Sequence, residues 1–295
     1  MKVLLTGATG FLGSYLLPAL LKAGHDLIIL KRSFSNTWRI NRLINDVSCY
    51  DLDNITLKDL FRWHGKIDTI IHTATTYGRN GETASEISET NVSFPLNLLE
   101  TAASLNTDFF FNTDTVLYHQ LNYYSLSKNH FKEWGKHFAF MNKICFVNIK
   151  LEHMYGPNDD DSKFTDWLVQ NLLNNISELP LTLGEQKRDF IYIDDVVHAY
   201  LTLLDNCVAT KDNYLEYHLG SGNAITIRKF VETVHYLTES STQLRFGAIP
   251  YRVNETMNSC ADISKLRQLG WKPECDLTIG LKKLIDAKLR KMNNQ

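Results

Sequence analysis

The first two dozen residues constrain the fold more than any other stretch. Val3-Leu4-Leu5 is a short apolar run suited to a buried strand, and it breaks at Thr6-Gly7-Ala8-Thr9-Gly10-Phe11-Leu12-Gly13. A helical spacing of leucines (Leu16, Leu17, Leu20, Leu21) then runs to Gly24. Glycines at 7, 10 and 13 let the chain turn sharply, bring backbone amides close to a pyrophosphate and pack helix against strand, with the helix N-terminus facing the anion. A glycine triplet alone is weak, and a purely structural turn is the competing reading. Between an apolar strand and an apolar helix, the triplet points to dinucleotide binding through Gly7, Gly10, Phe11, Leu12 and Gly13.

The alternation continues. Leu27–Leu30, Val47–Tyr50, Ile67–Ala74, Phe109–Asn112 and Ile144–Ile149 read as strands, and about Glu82 to Ser104 reads as a helix with Val92, Leu96 and Leu99 on one stripe. That rhythm predicts an α/β fold with a doubly wound parallel sheet. After Asn158 it changes. The expected division is a dinucleotide-binding domain over 1–157 plus about 190–210, and a substrate lobe over about 158–189 and 211–295. At 295 residues and 44% hydrophobic the chain can bury a full core, and its net charge of -2 excludes a nucleic-acid footprint. No apolar run approaches bilayer length, so no membrane partner is expected. Cys49, Cys145, Cys207, Cys260 and Cys275 are scattered singly, as reduced thiols of a cytoplasmic protein are, and suggest no zinc site. The acids Asp159, Asp160 and Asp161 read as a solvated loop, and no metal is expected.

The chemistry points to Thr113 through Lys128. With a strand ending near Asn112 and a helix starting near Asn122, Tyr124 and Lys128 stand four apart on one helical face, with Thr113 at the strand's end. A phenol titrates near pH 10, so the neighbouring ammonium is expected to favour phenolate and ready Tyr124 for proton transfer, while Thr113 holds the oxygen on which charge develops. On its own, a Tyr-x-x-x-Lys is more often an exposed pair. Strand two ends in Lys31-Arg32-Ser33, where an acid would bind a ribose 2'-hydroxyl. Two cations there predict NADP(H), against the plain reading of solvated charges.

The spacing G-x-x-G-x-x-G, Tyr124-x-x-x-Lys128 and the run Gly184-Glu185-Gln186-Lys187-Arg188-Asp189-Phe190-Ile191-Tyr192-Ile193-Asp194-Asp195-Val196 resemble the extended branch of the short-chain dehydrogenase/reductase family, whose members act on nucleotide sugars. The resemblance implies a Rossmann domain with a smaller C-terminal α/β substrate lobe, and a homodimer paired through the helix bearing Tyr124 and the one before it. It places Asp51 and Leu52 beside the adenine, Thr73 and Ala74 along the cofactor phosphates, and Lys128 on the nicotinamide ribose. It assigns Asp114, Thr115, His153, Arg188 and Arg252 to the nucleotide-sugar substrate, with His153 standing where an Asn is usual. His72 reads as a packed histidine.

The same likeness narrows the reaction. Dehydratases of the family carry Thr-Asp-Glu where this chain has Thr113-Asp114-Thr115, so the base for elimination is missing. Epimerase-reductases carry a Cys and a His at the positions of Thr115 and Asn158, which do not titrate. The 4-epimerases keep NAD bound, whereas Lys31-Arg32 suits NADP. What remains is an NADPH-dependent 4-ketoreductase of a nucleotide-linked 4-keto-6-deoxyhexose. The segments Asn112–Asp114 and Val147–Pro157 are most similar to the branch that reduces CDP-4-keto-3,6-dideoxy-D-glucose in bacterial O-antigen assembly. Reductases making the C4 epimer or dTDP-linked fucose, a 4-epimerase, and a non-catalytic NADP-binding sensor are the alternatives.

Overall fold

The structure is a computed structural model and describes residues 1–207 and 212–293. In chain order it forms β1 (Lys2–Thr6), α1 (Phe11–Lys22), β2 (Asp26–Lys31), β3 (Ser48–Asp51), α2 (Leu57–His64), β4 (Thr69–His72), α3 (Ala84–Ser88), α4 (Phe94–Ser104), β5 (Phe109–Thr115), α5 (Tyr123–Phe140) and β6 (Cys145–Leu151). There follow β7 (His153–Tyr155), α6 (Phe164–Leu173), β8 (Glu178–Leu181), β9 (Lys187–Tyr192), α7 (Ile193–Cys207), β10 (Tyr214–Leu219), β11 (Ala224–Thr226), α8 (Ile227–Leu237), β12 (Gln243–Phe246), α9 (Ser264–Gln268) and α10 (Leu277–Asn293). Two compact units result: Met1–Leu151 with Tyr200–Tyr217, and Glu152–Ala199 with His218–Gln295. The boundary expected at 210–211 lies outside the described residues.

The first unit carries a seven-stranded sheet in the order β10-β6-β5-β4-β1-β2-β3. Its pairs from β3 across to β6 are all parallel. Leu4, Leu5, Ile28, Ile29, Ile70, Ile71, Phe110, Phe111, Phe146 and Val147 are all fully buried. Consecutive residues on a strand are covered alike because both faces of the sheet are packed, which is why the runs do not alternate. Each such side chain contributes about 1.5–3 kcal/mol on burial. The strand order reverses at β1, which has β2 on one side and β4 on the other. Open α/β sheets bind ligands beyond the strand ends at such a switch point. Gly7 and Thr73, the residues that follow β1 and β4, both lie there.

The segment expected as one helix over 82–104 is three pieces. A π-helical turn, Glu89–Ser93, separates α3 from α4. The wider turn admits an extra residue, and Pro95, which has no N–H to give to the preceding turn, follows directly after it at the second position of α4.

The second unit holds a three-stranded sheet, β11-β9-β7, and a parallel pair, β12 with β8. Its pieces are distant in sequence and are joined by buried carboxylates. Asp189, fully buried, accepts the N–H groups of Ser221 (2.7 Å), Gly222 (2.9 Å) and Ala261 (3.2 Å) and the Ser221 hydroxyl (2.6 Å). Asp195 does the same for the N–H groups of Glu274 and Cys275. A buried charge is tolerable when its lone pairs are filled in this way. Among the described residues, no helix is long and apolar enough to cross a membrane.

Candidate active site

The glycine turn fits a dinucleotide. Gly7 has φ 76°, and a Cβ there would lie 2.5 Å from the Ala74 nitrogen and 2.6 Å from Thr73 Oγ1. A Cβ on Gly13 would be driven into the Gly7 carbonyl oxygen and would lie 2.7 Å from Ala8 Cα. Gly10 caps α1 with no side-chain hydrogen bond, so no side chain competes for the first N–H groups of the helix, the donors an anion needs. Thr73 braces the turn from β4, its hydroxyl donating to the Thr6 carbonyl at 2.8 Å. Phe11 and Leu12 are buried under the turn.

At the end of β2 the structure separates two cations that look alike in sequence. Lys31 forms an ion pair and a short hydrogen bond with Asp51, its register partner on β3. The Lys31 charge is thereby compensated by the Asp51 carboxylate. Leu52 N–H donates to the Lys31 carbonyl at 2.7 Å, and Ser33 N–H donates to Asp53 at 2.8 Å. Arg32 is exposed, with its guanidinium 4.7 Å from the Phe34 ring centroid. Arg39, which no sequence pattern singled out, donates to the carbonyl of Thr9 in the glycine turn at 3.4 Å.

On β5, Thr113, Asp114 and Thr115 pair with β6 and extend past the end of β4, whose last residue His72 pairs with Asn112. The Thr113 hydroxyl lies 2.6 Å from that of Tyr200 on α7. Asn122 starts α5 by accepting Ser125 N–H at 2.8 Å, with the Ser125 hydroxyl returning to the Asn122 N–H side of a capping box. Lys128 is buried and Tyr124 half-buried, one turn apart on that helix. Tyr77 packs against Tyr124 with ring centroids 4.9 Å apart and the rings tilted by 39°, and the Arg79 guanidinium sits 4.9 Å from the Tyr77 centroid. Asn91, in the π-helical turn, ties the Thr76 backbone to Ser127, the residue before Lys128. His72 is packed among Phe94, Phe110 and Phe131, and burial holds it well below its ordinary pKa.

Electrostatics at Tyr124 run opposite to the expectation. Burial, reinforced by Tyr77 and Asp114, holds the phenol well above its usual value, against a hydrogen bond from Thr115 and the charge of Arg79. For Lys128 burial again dominates and pushes the ammonium down to about 8, with Asp114 opposing. Desolvation disfavours either charged form, and here it outweighs the neighbouring charge. Tyr124 therefore stands protonated at neutral pH, as an acid.

In the second unit Arg188 is ion-paired to Glu255 and donates to the Lys187 carbonyl at 2.7 Å. Burial holds the Arg188 guanidinium below its ordinary value, helped by the charge of Arg252 and opposed by Glu255 and Glu152. Half-exposed His153 lies 3.3 Å from buried Glu152, whose other oxygen accepts the Ser259 hydroxyl at 2.7 Å. Glu255, three residues beyond Arg252, was not recognised from sequence, nor were Tyr77 and Tyr200. A signal existed only for Asn112 and Asn148, polar residues inside apolar strand runs.

The sequence model of the NAD dependent epimerase/dehydratase family matches residues 3–220. A CDP-abequose synthase of Salmonella muenchen is 36% identical over 294 residues, covering 97% of this chain and 98% of that protein. One of Salmonella typhimurium is 37% identical over 292 residues, covering 96% and 97%. A UDP-glucose 4-epimerase of Thermotoga maritima, solved with UDP-glucose, superposes with a TM-score of 0.86 at 22% identity, over 99% of this chain and 100% of that one. At that identity the superposition speaks for the fold.

Proposed function

Because this chain belongs to the NAD dependent epimerase/dehydratase family, whose members are NAD(P)-dependent enzymes acting on nucleotide sugars, we propose that it is an NADPH-dependent 4-ketoreductase of a nucleotide-linked 4-keto-deoxyhexose. The best-matching substrate is the CDP-4-keto-3,6-dideoxyhexose of a CDP-abequose synthase, and the setting is cytoplasmic O-antigen sugar assembly. The observation that carries this reading is the likeness at 36% and 37% identity, end to end, to two CDP-abequose synthases. The site supports it. Ketone reduction needs a proton donor, and Tyr124 is held protonated.

The cofactor, when bound, supplies the hydride. Gly7, Gly10 and Gly13 hold its pyrophosphate against the N-terminus of α1, and Arg32 holds the 2'-phosphate. Lys128 holds the nicotinamide ribose. Tyr200, pushed by burial well above the ordinary range of a phenol, stays protonated. When its hydroxyl donates to Thr113, the Thr113 proton is turned toward the substrate oxygen, on which negative charge develops. Tyr124 then gives its proton to that oxygen. Arg188 and Arg252 grip the diphosphate, with Glu255 aiming Arg188. A homodimer belongs to the same reading, since α5 leaves Tyr123, Trp134 and Phe140 exposed.

The test is to present CDP-, dTDP-, GDP- and UDP-linked 4-keto-6-deoxy sugars with NADPH, follow the loss of reduced nicotinamide and identify the product by NMR. Consumption with the CDP-linked 3,6-dideoxy sugar is expected. Interconversion of a UDP-hexose at C4 without added cofactor would instead establish the 4-epimerase reading. For the cofactor, Arg32→Ala is expected to lower the NADPH to NADH ratio of kcat/KM about tenfold or more, as loss of a charge-assisted phosphate contact should. Lys31→Ala should change the ratio less, since Asp51 already neutralises that charge. Equal ratios in the Arg32 variant and the parent protein would remove the assignment.

A further inference from the structure

The loop between β4 and α3 has no regular secondary structure, and Tyr77 and Arg79 are exposed on it, yet its backbone is pinned at one point. Asn91, in the π-helical turn and only 1% exposed, reaches the loop with both ends of its amide. Its carbonyl oxygen accepts the Thr75 hydroxyl at 3.1 Å and the Thr76 N–H at 2.8 Å. Its nitrogen donates to the Thr76 carbonyl at 2.9 Å and to the Ser127 hydroxyl at 3.0 Å. Ser127 in turn donates to the Tyr124 carbonyl at 2.8 Å. Only one orientation of the Asn91 amide serves, because the flipped one would set N–H against N–H and oxygen against oxygen at Thr76. The residue after Thr76 is Tyr77, whose ring meets that of Tyr124 at 4.9 Å. A closed circuit thus runs from Thr76 through Asn91 and Ser127 to the backbone of Tyr124, and back through the two rings to Tyr77.

Resting on the assignment of Tyr124 as proton donor, we propose that Tyr77 is a positioning residue for Tyr124: stapled down by Asn91, its ring fixes the phenol and sets where the reacting hydroxyl points. Three observations converge. A helical side chain leans back over the turn before it, and Tyr124, the second residue of α5, has no such turn to lean on. The Tyr77 ring supplies that support, at the spacing and tilt of a favourable aromatic pair, and is itself steadied by the Arg79 guanidinium 4.9 Å from its centroid. The staple lies in a π-helical turn, an irregularity that is rare in general and frequent at functional sites.

The test measures turnover on whichever keto sugar the panel above accepts, with NADPH affinity and thermal melting alongside. Tyr77→Ala should lower kcat about ten- to a hundredfold, the cost of a reacting group left about 1 Å astray, with the sugar KM and NADPH affinity close to those of the parent protein. Tyr77→Phe, which keeps the ring, should recover most of that loss. Asn91→Ala should lower kcat likewise, and the double variant should lose less than the product of the two single losses, since both act on one ring. Should Asn91→Ala prove unstable, the two Tyr77 variants decide. A loss of melting temperature without a loss of kcat in Tyr77→Ala would make the contact merely structural and overturn the proposal. So would a rise in KM alone, which would make Tyr77 a substrate contact, or a Tyr77→Phe as slow as Tyr77→Ala. A readout without sugar separates this from the ketoreductase reading. With tyrosine labelled with 13C at Cζ, the resonance missing from Tyr124→Phe belongs to Tyr124. In Tyr77→Ala it should shift and titrate at lower pH than in the parent protein, as a phenol opened to water does; the other charges acting on it, Asp114 and Arg79, are present in both. An unmoved resonance would overturn the proposal, whereas failure of every keto sugar would sink the ketoreductase reading alone.

Discussion

Tyr124→Phe is expected to lower turnover about a hundred- to ten-thousand-fold, the range of a positioned general acid, while leaving NADPH affinity and the melting temperature close to those of the parent protein. The substitution removes one hydroxyl and keeps the ring. Tyr77 packs against that ring at 4.9 Å. In the proposed function the cofactor is held by Lys128 and the glycine turn, which the substitution leaves in place. Thr115 is close enough to hydrogen-bond the phenol, but a threonine hydroxyl is far too weak an acid to take its place. The outcome also separates an enzyme from a cofactor-binding sensor: indifference of turnover to the missing hydroxyl, with any accepted keto sugar, would refute the assignment of Tyr124.

Gly13→Ala is the second large effect and acts through the backbone. Within a helix, replacing Gly by Ala ordinarily stabilises by about 1 kcal/mol. Here the added methyl meets the Gly7 carbonyl oxygen and Ala8 Cα, which are backbone atoms and cannot turn aside. Forcing an overpacked contact costs about 1–3 kcal/mol, and the relief available is to open the very turn that faces the pyrophosphate. A lower melting temperature and a loss of NADPH affinity of at least about tenfold are expected together, since each 1.4 kcal/mol at the anion site is a factor of ten. Gly24→Ala serves as the control, because nothing lies within 4 Å of a Cβ there, although its φ of 81° is itself unfavourable. That variant should lose stability but keep its affinity. Unchanged NADPH binding in Gly13→Ala would show that the turn is not the phosphate cradle.

Both predictions rest on residues that could be found from sequence, for a shared reason. A glycine turn between strand and helix and a Tyr–Lys pair one turn apart are local geometries, specified within a dozen residues. The parallel sheet was legible in the same way, since apolar runs such as Val3-Leu4-Leu5 show no alternation when both faces are covered. The break in the helix at Glu89–Ser93 was not: of the stripe Val92, Leu96 and Leu99 only Leu99 is buried, and the inward face is made by Asn91, Pro95, Leu98, Leu99 and Ala102.

Charge partners were least visible. Lys31 and Arg32 are adjacent cations at the end of one strand, yet the register of β2 on β3 sets Lys31 against Asp51 and leaves Arg32 exposed. Thr113 meets Tyr200 across 87 residues, and Asp114 meets Asn148 across 34. The sign of the Tyr124 shift was misread for a related cause: spacing on a helix reveals which charge is near, but only packing reveals how much water has been removed.

By itself, then, the order of residues determined the fold class, the glycine turn and the placing of Tyr124 and Lys128 on one helix, because each is written in contacts between near neighbours. Which cation is paired, that burial holds the Tyr124 phenol above its usual value, and that Asp114 is tied to Asn148 were decided only when the strands aligned. Desolvation and register are properties of the assembled sheet, and no short stretch of chain contains them.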